Sequence, residues 1–306
     1  MSACNYSRRD FLKFTSVGMG VLGLFGCQTT GSQSGEKSEI TLRVPGAVKS
    51  FTFVHWADSH LCECDWRNDD LTEYMAARQV DVFGGAPTKV AKEMVSNFNR
   101  LRPDIIALTG DFVDVPTEAN MNMGEGILDS LNSLVCFAMG NHEWNGMAKP
   151  QEQDYWQERF KVMLSQPMDW HVQRMHGVNL LFIDDSNYQI TPSQVERTQQ
   201  LLESDRPCIL FVHIPISTNS LIADTVKIWK TPILLGNEDI LAGRKLKIEP
   251  STAKFCSLVK SHPQMKAIFA GHLHFNHEDE YRQGCYQYVT GGGFNKQYRL
   301  IRVVPG

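Results

Sequence analysis

The sequence predicts a layered α/β domain, and three observations predict it. Six short apolar runs, at 51–57, 105–109, 135–139, 178–183, 208–213 and 267–270, are bounded by turn residues, as expected of strands in a sheet covered on both faces. Segments with helical patterning lie between them. Five of the runs end in Asp, Asn or His, and ligands in α/β sheets gather beyond the carboxyl ends of the strands. Composition agrees, since 42% hydrophobic and 21% charged residues in a chain of 306 are ample for a core.

The first segment of the chain reads as an address rather than as fold. Ser7-Arg8-Arg9-Asp10-Phe11-Leu12-Lys13 leads into a glycine-rich apolar run at 14–26. That run is too short to cross a bilayer core, which takes about 20 apolar residues. A basic start followed by a short apolar region is the pattern of an export signal, and the paired arginines resemble a twin-arginine (Tat) signal. Leu24-Phe25-Gly26-Cys27 resembles a bacterial lipobox, with Phe25 where a small residue is usual. Residues 1–27 are therefore expected to be a signal, 28–50 a flexible tether, and 51–306 the folded domain. The resemblance implies the Tat export machinery as a partner, a periplasmic or cell-surface location, and a membrane anchor through lipid on Cys27. Cys136 and Cys208 sit in apolar runs, where free cysteine behaves as a small hydrophobe, and no spacing suggests a disulfide framework.

Within the domain, 88–101 places Val90, Met94, Phe98 and Leu101 on one helical face. A second helix, at 193–203, opens with Ser193-Gln194-Val195-Glu196, a capping-box pattern, after Pro192. The segment 218–248 is longer than an ordinary connection. Lys227, Lys230, Arg244 and Lys245 would suit a lid that attracts anions, while Asp224, Glu238 and Asp239 suit a solvated surface equally well. Gly291-Gly292-Gly293 reads as a turn before the last strand. A net charge of −4 without a basic patch makes duplex nucleic acid a poor partner.

The polar strand ends are Asp58-Ser59-His60, Gly110-Asp111, Gly140-Asn141-His142-Glu143, Val212-His213 and Gly271-His272-Leu273-His274. Taken singly, each has an ordinary reading as a turn, a cap or a hydrogen-bonded core histidine. Together and in this order they resemble the calcineurin-like metallophosphoesterase family over residues 51 to about 275. The resemblance implies a four-layer α/β/β/α sandwich. It also implies a two-metal phosphoesterase that hydrolyses a phosphate mono- or diester by attack of a hydroxide held between the ions. By the family pattern, Asp58, His60, Asp111 and His274 hold one ion, and Asp111, Asn141, His213 and His272 hold the other. Paired catalytic ions sit roughly 3.5–4 Å apart and need a bridging ligand against their repulsion, a role a carboxylate such as Asp111 suits. Imidazole with carboxylate and amide oxygen favours Mn, Fe or Zn over Ca. His272 and His274 are expected to alternate in an extended segment and so to share a face. His142 is read as the residue that contacts the phosphate or protonates the departing oxygen, its ordinary alternative being to orient a ligand.

Weaker signals surround these. His55 reads as packed or as support for a ligand, His277 as a residue at the rim, and Cys62 and Cys64 as loop thiols rather than a soft-metal pair. Purple acid phosphatases carry a tyrosine where this sequence has Asp114, so that subgroup and its colour are not expected. Two rival readings remain: a hydrolase using the same metals on a substrate without phosphorus, and a non-enzymatic binding module, which would be expected to lack a ligand or His142.

Overall fold

A computed structural model describes residues 37–62, 82–144, 152–241 and 244–306. The expected signal at 1–27 and Cys64 lie outside these residues. In chain order the strands are β1 (Lys37–Val44), β2 (Phe51–Trp56), β3 (Ile105–Thr109), β4 (Leu134–Ala138), β5 (Trp170–Met175), β6 (Val178–Ile183), β7 (Cys208–Phe211), β8 (Asp239–Leu241), β9 (Arg244–Leu246), β10 (Met265–Ala270), β11 (His277–Arg282), β12 (Cys285–Val289) and β13 (Tyr298–Pro305). The helices are α1 (Pro87–Leu101), α2 (Glu118–Asp129), α3 (Gln153–Leu164), α4 (Pro192–Leu202), α5 (Asn219–Trp229) and α6 (Pro250–Ser261).

Two sheets are formed, in the orders β1-β13-β2-β3-β4 and β11-β12-β10-β7-β6-β5, with β8 and β9 as a separate hairpin. Strands β2, β3 and β4 run parallel in the first sheet, and β6, β7 and β10 run parallel in the second. The sheets face each other through Phe53, Ile105 and Ala107 on one side and Phe182, Phe211 and Phe269 on the other. Phe211 stacks on Phe182 at 4.4 Å between ring centroids, and Phe53 meets Phe269 edge-on at 5.2 Å, an arrangement aromatic quadrupoles favour. The opposite face of the first sheet, with Val54, Trp56, Ile106 and Leu108, is covered by Met94 and Phe98 of α1, Met121 of α2 and Phe160 of α3. The second sheet is covered by Val195 of α4 and Phe255 and Val259 of α6. The packing is thus helix, sheet, sheet, helix, as the sequence implied.

Two sequence expectations are corrected. The stretch expected to be a tether, 28–50, contains β1, because Ile40 and Leu42 alternate with polar residues and pack on the inter-sheet core while the backbone pairs with β13. And α4 starts one residue early, with its cap two residues before the expected one. Thr191 is its cap, accepting the Gln194 N–H at 3.2 Å, while the Gln194 side chain accepts the Thr191 N–H at 2.8 Å. The box is therefore Thr191–Gln194 with Pro192 in the first turn, where proline costs nothing, rather than Ser193–Glu196. Cys136 and Cys208 are buried free thiols, and the glycines at 291–293 lead through a short turn, Gly293–Asn295, into β13.

Candidate metal centre

Five of the parallel strands deliver polar residues to one edge. Asp58 follows β2, Asp111 follows β3, Asn141 and His142 follow β4, His213 follows β7, and His272 and His274 follow β10. The apolar strands bury the chain up to that edge, and the first residues free of sheet pairing point into a shared buried space. Asp58, His60, Asp111 and His213 are all at most 2% exposed. Burial at this level requires partners, since an isolated buried charge is strongly disfavoured.

The partners are one another. Asp58, His60, Asp111 and His274 form one group able to hold a cation, and Asp111, His213 and His272 form another, so Asp111 belongs to both. Asp111 Oδ2 lies 3.3 Å from His213 Nε2, 3.7 Å from His60 Nε2 and 4.0 Å from His142 Nε2. Asn141 Oδ1 is 3.2 Å from His213 Nε2, which places it with the second group. His60 Nε2 meets His274 Nε2 at 3.0 Å, and His213 Nε2 meets His272 Nδ1 at 3.2 Å. Two imidazole nitrogens that close need a proton or a cation between them. The geometry therefore brings together all seven residues that the sequence proposed as ligands, with His142 beside them.

Charge balance points the same way. Burial alone would raise the Asp111 carboxyl, but the imidazoles of His213 and His142 hold it well below the usual carboxylate range. Burial, reinforced by the like charge of Asp111, pushes Asp58 well above that range. Burial opposes a charge on His213, yet Asp111 and Asp58 push it up to about 10. Burial lowers His60, His272 and His274. A site that recruits a proton onto a fully buried imidazole is one in which positive charge is wanted. Carboxylate, imidazole and amide oxygen are the donors that transition-metal ions take, so the residues fit a metal pair.

The backbone here is unusual. Asp58, His60, Asp111, His272 and His274 have φ of 52°, 45°, 49°, 71° and 59°, in the left-handed region that L-residues seldom occupy. His272 and His274 are therefore not in the extended segment the sequence suggested. They converge through a tight turn in which the Leu273 N–H donates to Gly271 O at 2.8 Å. Such strain persists where surrounding structure over-determines it. Close packing of the loops is part of that: a Cβ on Gly140 would fall on the Asp111 amide and carboxylate, and one on Gly110 would lie 2.6 Å from His213 Nδ1.

Four supporting residues were not read from the sequence. Glu143 accepts the backbone N–H groups of Gly140, Asp111 and Phe112 at 2.6, 2.9 and 2.7 Å. Asp114 Oδ1 lies 3.1 Å from His60 Nδ1 and 3.2 Å from His142 Nδ1, behind the nitrogens that face Asp111. That is the arrangement in which a carboxylate fixes an imidazole ligand. Asp185 accepts the His213 N–H at 3.0 Å, and Tyr188 Oη lies 2.9 Å from His272 Nε2. For Asp185 a signal existed: a sixth buried run, 178–183, also ends in Asp184-Asp185.

The outlying residues fall as follows. His55 is packed between Thr109 and Thr290, at 2.8 and 2.6 Å, and is not in the cluster. His277 is not at the cluster either; it contacts Asp224 of α5 and Asp279, each at 3.1 Å. Cys62 is buried. The 218–248 segment begins as α5, fastened to β11 through Thr218 and Ser220, which both donate to Asp279. Its Trp229 donates to Leu273 O at 3.0 Å and meets the His274 ring edge-on at 5.5 Å, so α5 walls one side of the centre.

A profile of calcineurin-like phosphoesterases matches residues 51–276. The chain belongs to that family. As a calcineurin-like phosphoesterase with a clustered dinuclear ligand site, it is a metal-dependent hydrolase. Among solved structures, the fold is similar to a dimetal phosphatase from Danio rerio, at 13% identity and TM-score 0.53, over 80% of this chain and 88% of that one. It is also similar to the purple acid phosphatase PPD1 of yellow lupin (Lupinus luteus), at 15% identity and TM-score 0.51, over 82% of this chain and 46% of that one. At these identities the likeness concerns the fold alone. No curated protein sequence matches this calcineurin-like phosphoesterase.

Proposed function

We propose that this phosphoesterase hydrolyses a phosphate mono- or diester with two transition-metal ions, Mn, Fe or Zn, held by Asp58, His60, Asp111, Asn141, His213, His272 and His274. The observation that carries the reading is the sharing of the Asp111 carboxylate between two convergent ligand groups. When bound, an ion pair lowers the pKa of water to give a nucleophile near neutral pH and offsets charge on phosphoryl oxygens. The chain's own residues do the rest. Asp58 and Asp111 supply the negative charge that retains the ions. Asn141 and His142 stand where they would orient and neutralise the transferring group. His142 is held by its Nδ1, 2.9 Å from Asp114 O, with Nε2 turned toward Asp111, from where it would reach the departing oxygen of an ester bound at the centre.

The test is a panel of phosphate monoesters, diesters, nucleotides and lipid pyrophosphates, with amides and lactones as controls, assayed on protein whose metals have been quantified. Turnover confined to phosphate esters, and lost together with at least one ion per chain in Asp111→Asn, is the expected result. Near-normal activity in Asp111→Asn would sink the two-metal assignment.

We also propose export by the Tat route with lipid on Cys27, from residues that lie outside the described structure. Lysine at Arg8 and Arg9 should trap precursor in the cytoplasm. Cys27→Ser should release the exported protein from membranes, and continued membrane fractionation of that variant would refute the lipid anchor.

A further inference from the structure

The turn that follows β6 reaches both histidines of the second ligand group by two different means. Asp185 is 0% exposed, and its carboxylate accepts the backbone N–H groups of His213 and Ile214, fixing where the His213 side chain starts. Three residues on, the Tyr188 N–H donates to Asp185 O at 2.8 Å, closing the turn. Tyr188 has φ of 63°. A bulky aromatic residue at that angle is an outlier, and a residue type free of the strain, such as glycine, would serve if only the turn mattered. What glycine could not supply is the phenol. Its oxygen lies 2.9 Å from His272 Nε2, with the two rings edge-on at 5.5 Å, 84 residues apart in sequence.

The other nitrogen of His272 gives the contact its meaning. Nδ1 lies 3.2 Å from His213 Nε2, inside the second group. An imidazole binds a cation only through a nitrogen that carries no proton. With Nδ1 turned to the ion, the ring proton is on Nε2, and Nε2–H donates to the Tyr188 oxygen. The opposite arrangement, with the phenol donating to Nε2, leaves the proton on Nδ1, where the ion must sit. The same hydrogen bond therefore fixes both the orientation of the ring and the nitrogen it offers.

We propose that Tyr188 is a positioning residue for the second ion, holding His272 with Nδ1 toward Asp111 and His213. The inference rests on the two-ion reading above and assigns Tyr188 no contact with substrate. Hydrogen-bond partners of metal-bound imidazoles typically carry 10–100-fold in metal affinity when removed.

The experiment titrates chelator-stripped full-length protein with Mn²⁺ alone by calorimetry. Wild type should take up two ions per chain. Tyr188→Phe keeps the ring and its packing and removes only the hydroxyl. It should leave one binding event unchanged and weaken the other about 10–100-fold. A measurement on wild type needs no variant: in Zn²⁺-loaded protein, ¹⁵N NMR should find the His272 proton on Nε2 and protected from solvent exchange. Equal affinities in the variant and wild type, equal weakening of both events, or a proton on Nδ1 would each overturn the role of Tyr188. Uptake of fewer than two ions by wild type would instead overturn the two-ion reading itself, and the proposal with it.

Discussion

The Glu143 carboxylate accepts the backbone N–H of Asp111 at 2.9 Å, so the loop that follows β3 is held by the loop that follows β4. The same carboxylate takes the N–H of Gly140 at 2.6 Å and that of Phe112 at 2.7 Å, with Val113 at 3.3 Å. Burial and the nearby charge of Asp111 raise Glu143 to about 7, while the surrounding N–H groups favour its ionised form. The clamp closes on the segment where Asp111 takes its left-handed backbone, at φ 49°.

Glu143→Gln should therefore act on the centre without being one of its ligands. An amide NH₂ would face two N–H donors in place of an oxygen, and leaving buried donors unpaired costs about 1–3 kcal/mol each. Urea unfolding of the metal-free protein should show a loss of at least about 2 kcal/mol, and metal analysis should show weakened retention. An unchanged unfolding midpoint would show that the clamp is dispensable.

His142→Asn separates chemistry from ligation, since every proposed ligand remains. A positioned general acid contributes roughly 10²–10⁴-fold, or about 3–5 kcal/mol of barrier. The variant should keep its metals and lose far more activity on alkyl esters than on nitrophenyl esters, whose leaving group departs without a proton. Equal losses on both would place His142 in phosphate binding instead.

Asp114→Asn should impair two imidazoles at once, because Asp114 Oδ1 faces Nδ1 of both His60 and His142. A drop of about 10–100-fold in metal affinity at the first site is expected, together with slower turnover at saturating metal. Full recovery of turnover on adding metal would limit Asp114 to supporting His60.

His171, on the edge strand β5 and outside the ligand cluster, sets an acid limit on stability. Its ring stacks on Phe182 at 4.9 Å, and burial lowers it to about 4, the Pro167 carbonyl and Asp169 offsetting part of the effect. The unfolded chain therefore takes up this proton before the folded one does. Its contribution is complete above about pH 6.5 and is lost as pH falls toward 4, up to about 3 kcal/mol. His171→Phe should keep the stack and flatten that part of the stability profile of the metal-free protein. Parallel wild-type and variant curves between pH 6.5 and 4 would contradict the assignment.

The sequence was most informative where a strand meets the centre. The strand bounds at 105–109 and 178–183 were readable because continuous apolar runs end abruptly in polar residues, and that abruptness also marked Asp58, Asp111 and His213. The supporting residues were not readable in the same way. Tyr188 and Asp114 act through contacts 84 and 54 residues distant, and nothing in their neighbours' identity encodes that reach. The left-handed backbone of His272 and His274 was also hidden, because Asp, His and their neighbours carry no glycine-like sign of it. β1 was missed because its pairing partner is the last strand of the chain, so the few alternating residues at 37–44 looked like the end of a polar linker.

The place of that last strand bears on how the protein is made. β13 lies inside its sheet, between β1 and β2, with Ile301 and Val303 in the inter-sheet core. Neither β1 nor the outer edge of β2 has a partner in the first sheet until Tyr298–Pro305 has been synthesised. A nascent chain emerging N-terminus first therefore makes Lys37–Val44 and Phe51–Trp56 long before the strand that joins them in the sheet. A chain stopped before Tyr298 would leave β1 without a partner in this sheet and one edge of β2 open, the condition under which chains pair with one another instead of with themselves.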